Sequence, residues 1–335
     1  MNEAQTRYDY IDPQLKEKGW DSMNSRVITE HSISEGRIEI TGRRAQPINA
    51  DYVLEYQSKK LAVIEAKKSS LGMTEGLEQA KQYGKLLGID FVYSTNGTEI
   101  YEFSLKRGKG KQISEYPTPQ ELWDKTFSDH DKWKQIFAKT PFAKSGGRTP
   151  RYYQENAVNR ALDAVAEGKK RILLTLATGT GKTYISSQFS YKLFESKWNL
   201  QGDQNRRPRI LFLADRNILA SQALNDFNVF ADDAKIRISP KELSKRNFEV
   251  PKNGNIFFTI FQTLVGDRGD ERFFEKYPAD FFDLVIIDEC HRGGANDESS
   301  WREILDYFAP AVQLGLTATP KRKDNTDTYK YFGEP

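Results

Sequence analysis

The second half of the chain alternates short apolar runs with longer amphipathic stretches. Arg171–Leu176, Ile210–Ala214, Ile256–Ile260, Leu284–Ile287 and Val312–Leu316 include several nearly unbroken apolar runs, the pattern of strands buried on both faces of a parallel sheet. Helical stretches between them, Tyr184–Glu195 among them, imply right-handed crossovers in a doubly wound α/β domain. The first half reads differently. Its pattern predicts a helix over Thr6–Lys18 stopped by Gly19, a short strand at Arg37–Ile40, and a hairpin of Tyr52–Tyr56 and Leu61–Glu65 around Gln57–Lys60. A helix over Thr74–Leu87 follows, then strands Phe91–Ser94 and Glu99–Phe103 about the turn signal Asn96-Gly97.

Between the halves, Lys144–Pro150 is small, basic and Pro-terminated, as linkers are. The expected domains are therefore 1–145 and 146–335, in line with a chain of 335 residues. Charge does not separate them. Fifty basic against 47 acidic residues leave +3 overall, split +1 and +2, so net charge does not single out nucleic acid. Arg43-Arg44, Lys106–Lys111 and Arg206–Arg209 read first as solvated basic loops, with phosphate contact as the alternative. A hydrophobic content of 38% with 20 Phe and 16 Tyr excludes wholesale disorder. The single cysteine, Cys290, rules out an internal disulfide framework and a cysteine-based zinc cluster, and reads as a small buried residue. No internal repeat, no run of 18 apolar residues and no basic-then-apolar start is present. The expectation is an α/β protein of the cytoplasm without a membrane segment.

The sharpest chemical signal is Ala177-Thr178-Gly179-Thr180-Gly181-Lys182-Thr183, after one strand candidate and before a helical stretch. Glycines let the backbone curl so that N–H groups face phosphate oxygens, helped by a helix N-terminus. Lys182 would hold the β- and γ-phosphates and the Thr183 hydroxyl would bind Mg²⁺. The general pattern asks for Gly where Leu176 stands. Downstream, the apolar run Leu284–Ile287 ends in Asp288-Glu289. That delivers two acids to the carboxyl edge of a sheet, Asp288 for Mg²⁺ and Glu289 to orient and deprotonate the attacking water.

A second constellation lies in the first half: Asp51, then Glu65-Ala66-Lys67. Residues i and i+2 of a strand share a face, so Glu65 and Lys67 converge, and the hairpin can return Asp51 to them. Two carboxylates suit a hard cation such as Mg²⁺, which activates water and stabilises a phosphodiester in transit. Gln79 and Tyr83 share one helix face and can both point at that site. An amphipathic helix with Tyr83 merely packed is the bland alternative.

These motifs carry a resemblance. Asp288-Glu289-Cys290-His291 resembles motif II of superfamily 2 helicases, and Gly315-Leu316-Thr317-Ala318-Thr319-Pro320 resembles motif III. Tyr153-Gln154 is similar to their adenine-reading glutamine motif, Leu213–Arg216 to motif Ia at the DNA backbone, and Thr259 with Gln262 to the next DNA-contact segment. Asp51, Glu65 and Lys67, with Gln79-Ala80-Lys81-Gln82-Tyr83, resemble RecB-like PD-(D/E)xK nucleases. A nuclease ahead of such a motor, with Glu3–Arg7, Gly19-Trp20 and Ala62–Lys68, looks like the R (HsdR) subunit of type I restriction endonucleases. The resemblance implies a PD-(D/E)xK domain followed by a first RecA-like lobe. It also implies use of ATP and Mg²⁺, translocation and cleavage of duplex DNA, and methyltransferase and specificity subunits as partners. Glu3 would be a further acid by analogy. After motif III only Lys321–Pro335 remain, so the resemblance implies an N-terminal fragment lacking the second motor lobe. The rival readings are an ATPase with an inactive first domain and a DNA-binding scaffold without catalysis.

Overall fold

Alternation along the strands of the first half sorts their side chains onto two faces of one sheet. The computed structural model describes residues 2–34, 47–128, 131–144, 149–266, 272–289, 302–319 and 328–332. It divides into two units, Met1–Pro141 with Arg151–Asn156, and Phe142–Pro150 with Ala157–Pro335.

The first unit opens with helix α1 (Glu3–Thr6), a π-helical turn at Arg7–Ile11 and helix α2 (Asp12–Glu17). The expected single helix is thus interrupted. Pro13, in the first turn of α2, has no N–H to continue the earlier ladder, and the wide turn absorbs the mismatch. Gly19, at φ +82°, ends the segment. Six strands follow in sequence order: β1 (Ser25–Ser34), β2 (Ile48–Tyr56), β3 (Lys59–Ala66), β4 (Phe91–Thr95), β5 (Ile100–Ser104) and β6 (Lys109–Ile113). All neighbours are antiparallel except β3 and β4. That parallel pair needs a crossover, which helix α3 (Leu77–Leu87) supplies. Val53, Val63 and Val92 pack with Ala80 and Leu87 of α3 on one face. Tyr52, Leu54, Ile64 and Tyr93 pack on the other with Leu15, Trp20 and helix α4 (Pro119–Thr126). Trp20 is fully buried and its indole N–H donates to the Pro117 carbonyl (2.8 Å). Helix α5 (Lys132–Lys139) completes that side with Ala138.

Two strands escape the hydrophobic pattern. The edge strand β1 is largely polar, and β6 contains Lys109 and Lys111, so the basic run Lys106–Lys111 is a turn leading into a strand and not a loop throughout. Arg37–Ile40 and Arg43-Arg44 lie outside the described residues, as do most of the expected linker (145–148), Cys290, His291 and Pro320.

Helix α6 (Tyr152–Ala166) leads into the second unit, where every strand pair is parallel. Its elements are β7 (Arg171–Thr175), α7 (Lys182–Glu195), β8 (Ile210–Ala214), α8 (Asn217–Asp226), β9 (Lys235–Arg237), α9 (Pro240–Lys245), β10 (Ile256–Ile260) and α10 (Phe261–Val265). Then come β11 (Leu284–Asp288), helix α11 over 302–307, β12 (Val312–Thr317) and α12 (Thr328–Phe332). The sheet order is β7-β12-β11-β8-β10-β9. β8 and β10 are buried throughout, as their unbroken apolar runs require. Gly315 makes room for Phe332, whose ring lies 2.8 Å from where a Cβ would stand.

The cluster Arg206–Arg209 is a structural device. Arg206 makes a bidentate pair with Asp283 (2.7 and 2.9 Å), which also accepts the N–H groups of Leu200 and Arg209. Arg207 lies over the Phe194 ring and Arg209 over Phe281. These cations are engaged inside the unit, which corrects their reading as plain solvated loops.

Candidate functional site

Asp51 sits on β2 one step beyond the Tyr52–Ile64 pair, and the antiparallel register sets it opposite Glu65 on β3. Lys67 follows the end of that strand on the same face. The Asp51 carboxylate accepts the Ala66 N–H (2.8 Å), and the Lys67 ammonium donates to Glu65 (3.0 Å). Glu3 Oε1 lies 3.9 Å from the Lys67 ammonium, so α1 brings its acid to the same neighbourhood. The parallel partner of Glu65 is Ser94 on β4. Its hydroxyl accepts the N–H of Gly76 (3.2 Å), the residue before α3.

Burial sets the electrostatics of this cluster. Glu65 is pushed up to about 7, first by desolvation and then by the charge of Asp51, while Lys67 pulls the other way. Asp51 is also raised by burial, against the Ala66 N–H and Arg7. For Lys67, burial works to lower the ammonium, but its bond to Glu65 and the surrounding acids win and raise it. Tyr83 is raised by burial and by the charges of Glu65 and Asp51, with Gln79 hydrogen-bonded to it. The helix pair and the carboxylates therefore share one electrostatic environment.

Three neighbours were not singled out in the sequence reading of the site. Arg7 lies 3.6 Å from Asp51, pairs with Glu30 and covers the Tyr52 ring at 4.8 Å. A Cβ on Gly76 would stand 2.8 Å from Glu65 and 3.1 Å from Lys67, so the chain passes too close to these two side chains for any residue but glycine to fit without a shift. Ser94 holds that glycine in place. None of the three carried a signal of its own: Gly76 fell inside the helix expected over Thr74–Leu87, which begins only at Leu77.

In the second unit, Gly179 and Gly181 both take left-handed φ (+82° and +86°), which curls the loop before α7. Thr178 lies exposed on that loop, Thr180 bonds back to the Ala177 carbonyl (2.7 Å), and Lys182 and Thr183 form the first turn of α7. Leu176, in place of the expected glycine, donates its N–H to Thr317 of β12 (2.8 Å), extending the sheet into the loop. Asp288 ends β11, and Glu289 follows at φ +54°. That left-handed turn is uncommon for a residue with a side chain. It accompanies a contact of 2.5 Å between Glu289 and the Lys182 ammonium. The loop lysine and the strand-end acid are thus brought together.

Arg216 is exposed before α8 and Gln262 is exposed in α10, but Thr259 is fully buried with its hydroxyl on the Ile260 carbonyl. Of the expected pair Thr259 and Gln262, only Gln262 presents a side chain outward. Gln154 is buried within the segment Arg151–Asn156, and its side-chain oxygen accepts the Arg151 N–H (3.0 Å). Among the described residues no helix is long and apolar enough to cross a membrane.

The chain is similar to several known proteins. The family model described as "Type III restriction enzyme, res subunit" matches residues 148–322. The EcoAI endonuclease subunit of a type I restriction enzyme from Escherichia coli is 36% identical, over all of this chain and 41% of its own length. The EcoKI endonuclease subunit from Escherichia coli K12 is 29% identical, over all of this chain and 34% of its own length. A solved fragment described as an HsdR subunit of a type I restriction enzyme from Vibrio vulnificus YJ016 superposes with TM-score 0.81 at 41% identity, covering this whole chain and 58% of that one. The chain spans about two fifths or less of the length of these two curated relatives.

Proposed function

Because the chain belongs, through residues 148–322, to the family described as the res subunit of type III restriction enzymes, and has type I endonuclease subunits as full-chain relatives, we propose that it supplies the nuclease and first motor lobe of a type I restriction subunit. The first unit would be a PD-(D/E)xK nuclease and the second a RecA-like lobe that works on duplex DNA with ATP and Mg²⁺. Methyltransferase and specificity subunits would be its partners, in the cytoplasm.

The observation that carries the nuclease reading is Glu65. Its second carboxylate oxygen, Oε2, is buried without a hydrogen-bond partner among the described residues, beside the half-buried acid Asp51. Such an orphaned oxygen is costly unless something positive binds it. No group of three or more metal-binding side chains occurs among the described residues. Two carboxylates are nevertheless a sufficient protein donor set for Mg²⁺, which keeps several of its waters. Asp51 and Glu65 would hold it, and there it supplies an activated water and charge stabilisation at the phosphodiester. Lys67 is placed to screen the phosphate or position the water, while Gln79 and Tyr83 orient the site.

In the second unit the backbone N–H groups around Gly179–Gly181 and the Lys182 ammonium suit nucleotide phosphates. Thr183 and Asp288 would hold Mg²⁺, Thr178 and Thr180 would line the phosphate loop, and Gln154 would read adenine with its paired donor and acceptor. Glu289 would orient and deprotonate water. Lys182 has to leave Glu289 for the phosphates, which frees that acid for its role. Arg216 and Gln262 would face the DNA backbone.

The test is a separation of activities in the full-length subunit with its partners. Glu65→Ala should lower DNA cleavage by about 10³-fold or more while ATP turnover persists. Lys182→Ala should abolish ATP turnover and, with it, cleavage that depends on translocation. Normal cutting by the Glu65 variant, measured on circular duplex DNA, removes the nuclease assignment.

A further inference from the structure

Strand β9 is three residues long and lies at the edge of the parallel sheet, paired with β10 alone. Its last residue, Arg237, sends its guanidinium to three segments. Nη1 donates to the carbonyls of Ile238 (2.7 Å) and Phe258 (2.9 Å), and Nη2 to the side-chain oxygen of Asn217 (2.8 Å). Phe258 precedes Thr259 on β10, and Asn217 follows Arg216 at the start of α8. One side chain therefore ties the residue just before one of the segments read above as facing DNA to the residue just after the other.

All three acceptors are neutral, and among the described residues no carboxylate pairs with this cation. Burial lowers Arg237, with no acid opposing that shift. Half-burying a guanidinium on neutral oxygens is a poor way to close a sheet edge, because desolvation is not offset by an ion pair. Its planar fork is, however, well shaped to fix the separation of several acceptors at once, which the flexible ammonium of lysine does poorly.

We infer that Arg237 is a positioning residue that holds the start of α8, and Arg216 with it, against β10 at the spacing from Gln262 needed to grip duplex DNA. The inference rests on the motor reading. Backbone pairing of β8 with β10 ends at Ala214–Ile260, so without the bridge the start of α8 loses this tie to β10, and Arg216 and Gln262 reach the same phosphates only after the segment is ordered on binding. The nucleotide loop, built on β7 and α7, is not part of the bridge.

The test uses the full-length subunit with its partners, linear duplex DNA as probe, and the variants Arg237→Met, Arg237→Lys and Asn217→Ala. For Met and Lys the DNA concentration giving half-maximal ATP turnover should rise about tenfold, and for Asn217→Ala about threefold. Turnover at saturating DNA should stay within about twofold of wild type, as expected when only binding is lost. The salt dependence of DNA binding should keep its slope, since no phosphate contact is removed. Full retention of DNA affinity by the Lys variant, or a slope lowered by about one, would make Arg237 a phosphate contact and overturn the positioning role. Unchanged affinity in the Met variant also overturns it. Should Arg237→Met not fold, the exposed Asn217→Ala decides alone, with unchanged DNA demand as the refuting result. Wild-type turnover indifferent to DNA would instead overturn the motor reading, and the bridge with it.

Discussion

The two candidate sites handle charge in opposite ways. In the first unit, Asp51 and Glu65 are like charges set side by side on a sheet face, with Lys67 and Arg7 at their margins. In the second unit, Lys182 and Glu289 are opposite charges meeting beyond the ends of parallel strands. The first arrangement is costly to the fold unless a cation joins it, as the proposed function has it. The second is already balanced and, on the proposed reading, would have to be broken for nucleotide to bind. A site can therefore be prepared by leaving a demand unmet or by keeping its key cation engaged, and the two predict different responses to mutation.

The largest test of this contrast is stability. Glu65 has its folded value raised to about 7 from an ordinary 4.5, so the fold favours its protonated form. The stability from this group is fully present below the unfolded value and is lost as pH rises from about 4.5 through 7. Glu65→Gln should therefore stabilise the metal-free protein by about 2 kcal/mol above pH 7, with the gain vanishing toward pH 4. Denaturant unfolding at the two pH values checks it, and an equal effect at both would break the comparison. Next in size is Gly76→Ala, whose methyl would press on Glu65 and Lys67. Cleavage should fall about tenfold with ATP turnover unchanged, because the misfit is local to the first site. Parallel nuclease and ATPase assays of that variant read both numbers. The smallest effect belongs to Gln154→Ala. If its amide reads adenine, selectivity for ATP over GTP should drop by about threefold. If the bond to Arg151 is its whole role, turnover of the two nucleotides keeps its ratio.

The parallel sheet was legible because its central strands are buried on both faces and so must be apolar throughout. β9 was not, being only three residues long. In the first unit, β2 to β5 followed from alternation and turn residues, whereas β1 and β6 lie at the edges, where one side faces water and polar residues serve as well. The acids Asp51 and Glu65, and the loop around Lys182, stood out because their chemistry needs particular residue types at particular spacings. Gly76, Ser94 and Arg7 did not, since each acts through a contact between segments distant in sequence. Thr259 shows the reverse error. A residue type that matched a DNA-contact motif lies wholly inside the sheet.

The Arg206–Asp283 pair has a consequence for how this sequence can drift over generations. Asp283 is 2% exposed and accepts from Arg206 twice and from two backbone N–H groups. Losing either partner alone strands a buried charge, a penalty of about 3–5 kcal/mol that purifying selection would remove. The two N–H groups remain whatever stands at position 206, so a descendant that discards the arginine still needs an acceptor at 283. The permitted route runs through asparagine there, and positions 206 and 283 should change together across a lineage, although 77 residues separate them in the chain.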